Sequence, residues 1–375
     1  MIISNVRISG YRSLRSISFP IGQLSVFVGE NGTGKTNLYR SLQLIQAAAN
    51  GSLATELARE GGMASAIWAG ERARGEKARI ILSVTLCHPV SKAPCYEYEC
   101  QVGFVQPPPS PAFPLEPQIR EEKLVDLQGR TEKILLHRKN SYSFTVNAKG
   151  EKNETMIALL ASETLLASLK DPINYPDLHA VRSSIQQWAF FHEFRTDSTA
   201  PLRQPGLPIT SPTLFSNGNN LSAVFATLKH IRQDTADLDE AINDAFPGAQ
   251  LIVPFPETTT SFGVLYPEYP HRVFAASELS DGTLRFLALA GALFSYRLPP
   301  FIAFNEPENS LHPSLIPALA RMIRSAAENT QIWLVTHSNA LAEALAESAQ
   351  INATIVYKSN GQTWLKGLSK LGSFR

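Results

Sequence analysis

Residues Gly29-Glu30-Asn31-Gly32-Thr33-Gly34-Lys35-Thr36 set three glycines, a lysine and a hydroxyl in the spacing of a phosphate-cradling loop. Glycines let successive backbone N–H groups turn inward on an anion, and a helix starting here adds the positive end of its dipole. In that arrangement Lys35 reaches the two terminal phosphates of a nucleoside triphosphate, Thr36 offers its hydroxyl to Mg²⁺, and Asn37 follows at the helix start.

Three further groups carry chemistry. Phe301-Ile302-Ala303-Phe304 is an apolar strand ending in Asn305-Glu306-Pro307-Glu308. A buried strand with polar residues at its carboxyl end presents them to a ligand, so Glu306 is the candidate base or water-positioning residue. Asn305 stands where a metal-orienting aspartate is usual, and its neutral amide is a poorer partner for a hard cation. Glu278-Leu279-Ser280-Asp281-Gly282-Thr283 puts a serine and a permissive glycine at a helix start, which reads either as an ordinary N-cap or as a second anion site. Thr336-His337-Ser338 follows the apolar run Ile332–Val335, where an imidazole can sense a phosphate oxygen.

The elements that must position these residues are legible in outline. Strands are expected at Ile2–Ile8 and Ser16–Phe19 around the turn Gly10-Tyr11-Arg12-Ser13, then at Leu24–Val28, which feeds the glycine loop. Apolar residues at Leu38, Leu42, Leu44, Ile45 and Ala48 predict a helix over Thr36–Ala49, closed by Gly51. An antiparallel pair is expected over Arg79–Leu86 and Cys95–Val105, with strands at Lys133–Leu136 and Ser143–Val146. Pro107–Pro111 reads as a connector, since proline removes backbone donors. Thr196–Gly218 reads as irregular, and Leu221–Gln233 and Leu238–Phe246 as amphipathic helices. Helices over Thr283–Leu293 and Pro313–Ala327, strands at Phe301–Phe304 and Ile332–Val335, and a hairpin from Thr354 to Leu368 complete the expectation. Sustained heptads are missing, which argues against a long coiled coil.

Composition narrows the class. With 34 basic and 33 acidic residues in 375, the net charge of +1 provides no bulk field for obligate nucleic-acid binding. The alternating start Met1–Arg7 lacks a signal-peptide layout, and no run is apolar enough to cross a bilayer, so a cytoplasmic protein without a membrane partner is expected. Cys95 falls on the strand face opposite Cys100, so Cys87, Cys95, Cys100 and His88 read as structural rather than as a zinc site.

The order of these four motifs resembles the RecF/SMC-like branch of ABC-type ATPases, especially the stand-alone predicted AAA family ATPases of the AAA15/AAA_21-like group. The likeness extends to Asn5–Leu14 and to Glu308-Asn309-Ser310-Leu311-His312-Pro313, which resembles the family's D-loop. It implies an α/β P-loop NTPase of two lobes, similar to an ABC/SMC head, with flanking antiparallel strands and a mostly helical or irregular insertion. The expected division is 1–105 and 266–375 for the ATPase head and 106–265 for the insertion.

The resemblance further implies that ATP and Mg²⁺ bind at Gly29, Glu30, Asn31, Gly32, Thr33, Gly34, Lys35, Thr36 and Asn37, with Thr36 and Asn305 toward the metal. Glu306 and His337 are the implied catalytic pair. Ser280, Asp281 and Gly282 would act in trans in an ATP-dependent head-to-tail homodimer, which opens and closes to control a partner protein or DNA in repair or phage defence. No glutamine lies in the loop Gly61–Trp68 to match the family's Q-loop, and Gln43 and Gln46 fall on the glycine-loop helix. A regulatory or scaffold module with little hydrolysis is the alternative, motivated by Asn305. A transporter subunit is disfavoured because the Ser280 motif lacks a double glycine. A nuclease of the overcoming-lysogenisation type is disfavoured because only a hairpin and tail follow His337.

Overall fold

The computed structural model describes residues 1–72, 75–104, 113–140, 142–154, 159–349 and 351–374, excluding the side chains of 348 and 349. The expected connector Pro107–Pro111 lies outside the described residues. In chain order the elements are β1 (Ile2–Tyr11), β2 (Leu14–Pro20), β3 (Leu24–Val28), α1 (Lys35–Asn50), α2 (Leu53–Arg59), α3 (Met63–Ala66), β4 (Arg79–Cys87), β5 (Pro94–Gly103), β6 (Gln118–Asp126), β7 (Lys133–Lys139), β8 (Tyr142–Val146) and β9 (Lys152–Glu154). Then come α4 (Leu165–Ser168), α5 (Pro176–Gln186), β10 (Ala189–Phe191), α6 (Leu221–Ala226), α7 (Ala236–Ala245), β11 (Gln250–Ile252), β12 (Gly263–Leu265), β13 (Val273–Ala275), α8 (Asp281–Leu293), β14 (Phe301–Asn305), α9 (Ile316–Ala327), β15 (Gln331–Thr336), α10 (Asn339–Ala349), β16 (Thr354–Ser359) and β17 (Gln362–Leu365).

These elements form two compact units. The first comprises 1–22, 29–188 and 354–375. Its main feature is an eight-stranded antiparallel sheet in the order β2-β1-β4-β5-β6-β7-β8-β9. Alternation in β1 and β5 sends Val6, Ile8, Tyr98 and Cys100 inward and leaves Arg7, Glu97 and Glu99 outside, the pattern of a sheet with one wet face. Helix α1 buries Leu38, Leu42, Leu44, Ile45 and Ala48, the residues whose spacing predicted it, and ends at Gly51 in the left-handed region. The hairpin β16–β17 belongs to the same unit.

The second unit comprises 23–28 and 189–353. Four strands run parallel in the order β10-β14-β15-β3. Phe301–Asn305 and Gln331–Thr336 are buried at every position, as strands covered on both faces must be. Helix α8 is apolar nearly all round and buried from Thr283 to Leu293, so it is an interior helix rather than an amphipathic one. A three-stranded antiparallel sheet, β11-β12-β13, completes the unit.

Several expectations differ in detail. The helix expected over Leu221–Gln233 is α6 continued by a π-helical turn at Thr227–Arg232. Pro313–Leu315 is a 3₁₀ turn leading into α9, because proline suits a first turn but not a helix interior. Strands β6, β10 and β11–β13 and helix α10 were not anticipated. Most are three residues long, too short to show a period. No described helix is long and apolar enough to cross a membrane. The three cysteines are free and buried.

Candidate functional site

The glycine loop lies between β3 and α1. Gly34 sits at φ +97, and a Cβ there would fall 1.9 Å from Thr363 Oγ1 and 2.6 Å from Ser13 Oγ, so only glycine fits. Those hydroxyls brace the loop. Thr363 Oγ1 lies 2.6 Å from Ser13 Oγ and donates to Thr33 O at 2.7 Å, while Asn37 Nδ2 donates to Ser13 Oγ at 2.7 Å. Lys35 is buried, and its ammonium donates to the carbonyls of Gly29 at 2.6 Å and Glu30 at 2.7 Å. Thr36, Glu30, Asn31 and Gly32 are exposed, and no side chain caps the start of α1. An uncapped helix start behind a glycine loop is an anion seat.

Gln43 accepts from Arg40, and Gln46 donates to the carbonyls of Gln186 and Trp188. Both glutamines of α1 thus serve the packing of this unit.

In the second unit, β14 and β15 pair in parallel with Asn305 opposite Val335, which brings their carboxyl ends together. Glu306 donates its backbone N–H to Val335 O at 2.7 Å and has φ +52, a left-handed conformation that is costly for a residue with a Cβ. Its Oε2 accepts from Asn309 Nδ2 at 3.0 Å, and its Oε1 lies 3.5 Å from His337 Nδ1. Glu308, which sequence reasoning placed in a motif without assigning it a role, is the knot of the cluster. Its Oε1 accepts from the Thr336 hydroxyl and from the backbone N–H of His337 at 3.2 Å and Ser338 at 3.3 Å, and lies 3.4 Å from His337 Nδ1. Its Oε2 is buried with no hydrogen-bond partner among the described residues.

Sequence reasoning also missed His192, at the end of β10, whose Nδ1 lies 2.7 Å from Asn305 Nδ2. The signal was available: Ala189-Phe190-Phe191-His192-Glu193 is an apolar run ending in two polar residues, as in Phe301–Glu306.

Ser280 caps α8, its Oγ accepting from Thr283 N at 3.2 Å, so within one chain the plain N-cap geometry holds. Ser280 and Asp281 remain exposed. A Cβ on Gly282 would come within 3.3 Å of Ser310 O, tying this helix start to the turn after β14. Arg203 organises the preceding loop, donating to the carbonyls of Ser277 and Leu279 at 3.0 and 2.7 Å and to Asp281 Oδ1 at 2.6 Å. Arg285, on the buried face of α8, has its pKa lowered by burial, an effect opposed by Glu193 and Glu308.

The basic residues of the irregular middle are engaged inside the chain. Arg195 pairs with Asp197 at 2.9 Å, Arg203 with Asp281, and His230 meets Val253 O at 2.9 Å. Lys229 and Arg232 lie 4.0 and 3.8 Å from Asp239 and Asp234.

Val28, the residue before Gly29, lies in register with Thr336, the residue before His337.

Residues 139–343 match the family described as "AAA domain, putative AbiEii toxin, Type IV TA system", and residues 1–54 match a family of unknown function, DUF2813. No curated protein matches the chain. Among solved structures, an SMC head bound to the C-terminal winged-helix domain of ScpA is similar at TM-score 0.54 and 14% identity, covering 99% of both chains. The SMC head with an extended coiled coil from Pyrococcus furiosus, bound to the C-terminal domain of ScpA, is similar at TM-score 0.52 and 12% identity, covering 98% of this chain and 96% of that one. With more than half its length matched, the chain belongs to this AAA ATPase domain family and has the fold of an SMC head.

Proposed function

We propose that the protein binds ATP with Mg²⁺ and hydrolyses it slowly, as a cytoplasmic switch whose two copies close head to tail over nucleotide. The observation that carries the reading is the register of Val28 with Thr336, by which the strand entering the phosphate loop ends level with the strand that delivers His337, next to Glu306.

The loop amides and the α1 dipole hold the phosphates, and Lys35 leaves the carbonyls of Gly29 and Glu30 to pair with them. Glu306 accepts a proton from the attacking water, or orients it, while Asn309 and His337 fix its two oxygens. His337 then senses the terminal phosphate. Ser280 and Gly282, exposed or half-exposed at the start of α8, serve the nucleotide of the second copy. By chemistry, the exposed Thr36 hydroxyl suits a hard cation, and so do Asn305 Oδ1 and Glu308 Oε2, which are buried and without a hydrogen-bond partner among the described residues. Mg²⁺ bound to the nucleotide supplies charge neutralisation on the phosphates.

Because the basic residues of the middle segment are engaged by acids and carbonyls of their own chain, a partner protein is favoured over DNA as what the switch controls, in repair or defence. Salt-dependent DNA binding in the presence of ATP is the outcome that reverses this preference.

The test is ATP binding and turnover by the full chain. Lys35→Ala is expected to lose binding, and Glu306→Gln to retain ATP as a dimer without turnover. Unchanged binding in Lys35→Ala, or monomers of Glu306→Gln under saturating ATP, contradicts the reading. A regulatory module with little hydrolysis is the second reading, favoured by the neutral Asn305. Absence of turnover in the wild type with intact ATP binding selects it.

A further inference from the structure

The residue that departs from the usual aspartate is matched by one on the neighbouring strand. Asn305 is only 2% exposed. Its Nδ2 lies 2.7 Å from His192 Nδ1, and its Oδ1 has no hydrogen-bond partner among the described residues. The register makes the pair intimate: Phe191 is opposite Phe304 in the parallel pairing of β10 and β14, so His192 and Asn305 are the next positions along both strands.

An amide can turn either its oxygen or its nitrogen to a ligand, and buried polar atoms choose by their partners. A neutral imidazole with its proton on Nε2 accepts at Nδ1. That engages the amide nitrogen and leaves the oxygen facing away. An aspartate at 305 has no N–H to donate, so the imidazole would have to carry its proton on Nδ1 and donate to the carboxylate, which reverses the direction of the hydrogen bond. Asn305 and His192 are therefore complementary as a pair, the ring nitrogen accepting from the amide nitrogen.

We propose that His192 is a positioning residue that turns the Asn305 amide so that Oδ1 is the atom offered to the nucleotide-bound divalent cation. The inference rests on the ATP-binding reading above. Asn305 then acts as an oriented neutral ligand instead of a degraded aspartate.

The test uses the full chain with ATP and Mn²⁺ as the cation, reading Mn²⁺ affinity by electron paramagnetic resonance and nucleotide affinity separately in chelator. His192→Ala is expected to weaken Mn²⁺ in the ternary complex by about 10-fold or more, as for other partners that orient metal ligands, with metal-free nucleotide affinity unchanged. His192→Asn places an amide oxygen where Nδ1 stood and is expected to restore Mn²⁺ affinity. Circular dichroism melts check that each variant is folded. Unchanged Mn²⁺ affinity in folded His192→Ala, or no rescue by His192→Asn, overturns the positioning role and leaves the ATP reading standing. Failure of the wild type to bind ATP in chelator or with Mn²⁺ overturns both.

Discussion

Each unit of the molecule holds a buried glutamate, and the two are treated in opposite ways. Glu122, in the antiparallel sheet, has both oxygens engaged: Oε1 accepts from the Tyr98 hydroxyl at 2.9 Å and Leu166 N at 3.0 Å, and Oε2 from Leu165 N at 2.6 Å. Glu308, after β14, has one oxygen accepting three hydrogen bonds and the other accepting none among the described residues. A satisfied buried carboxylate closes a structure, whereas an unsatisfied buried oxygen carries a desolvation cost that a ligand can relieve. Asn305 Oδ1 and the positive φ of Glu306 repeat the pattern within four residues of Glu308. The antiparallel sheet is thus scaffold. The carboxyl ends of the parallel strands are where polar capacity is left open.

The contrast is sharpest under charge removal. Glu308→Gln is expected to lower ATP turnover by about 100-fold with ATP binding retained, because the charge on the carboxylate whose Oε1 holds Thr336 and faces His337 is lost. Glu122→Gln is expected to leave turnover per folded molecule unchanged. Equal losses in both variants break the comparison.

Stability orders the next effects. Gly34→Ala forces a side chain into a left-handed position against Thr363 and is expected to cost about 1–3 kcal/mol in urea unfolding. Arg7→Ala removes ion pairs to Glu97 and Glu99 on the wet face of the sheet, with Arg7 46% exposed, and is expected to cost less than about 1 kcal/mol. A larger loss there would mean the sheet surface is more than scaffold.

The smallest effect is on pH dependence. Burial raises the Glu122 pKa above its unfolded value, despite the opposing hydrogen bonds from Leu166, Leu165 and Tyr98. The folded chain therefore holds that proton more tightly, so this contribution to stability is present below the ordinary carboxylate range and is lost as pH rises through the folded pKa. Thermal melts of Glu122→Gln are expected to fall less steeply with rising pH than those of the wild type. An identical slope contradicts the assignment.

The features legible in the sequence were those made by neighbours. Gly29–Thr36, the helix over Leu38–Ala48 and the run Phe301–Phe304 announce themselves through local spacing, and Asn305 stood out at its position. The bracing of the phosphate loop did not. Thr363 reaches Thr33 across 330 residues and His192 reaches Asn305 across 113, and pairings of that span leave no periodic trace. Glu308 was visible as a residue but not as a knot, since its partners Thr336 and Ser338 come from the next strand's end. The acidic partners of Arg195, Lys229 and Arg203, which are Asp197, Asp239 and Asp281, cannot be assigned from composition.

The most direct test of the central claim is phosphate release from ATP by the wild type and by Glu306→Gln at matched nucleotide occupancy. The account predicts slow multiple turnover for the wild type and a loss of about 100-fold or more for Glu306→Gln, with ATP still bound. Equal phosphate release by the two proteins would contradict it.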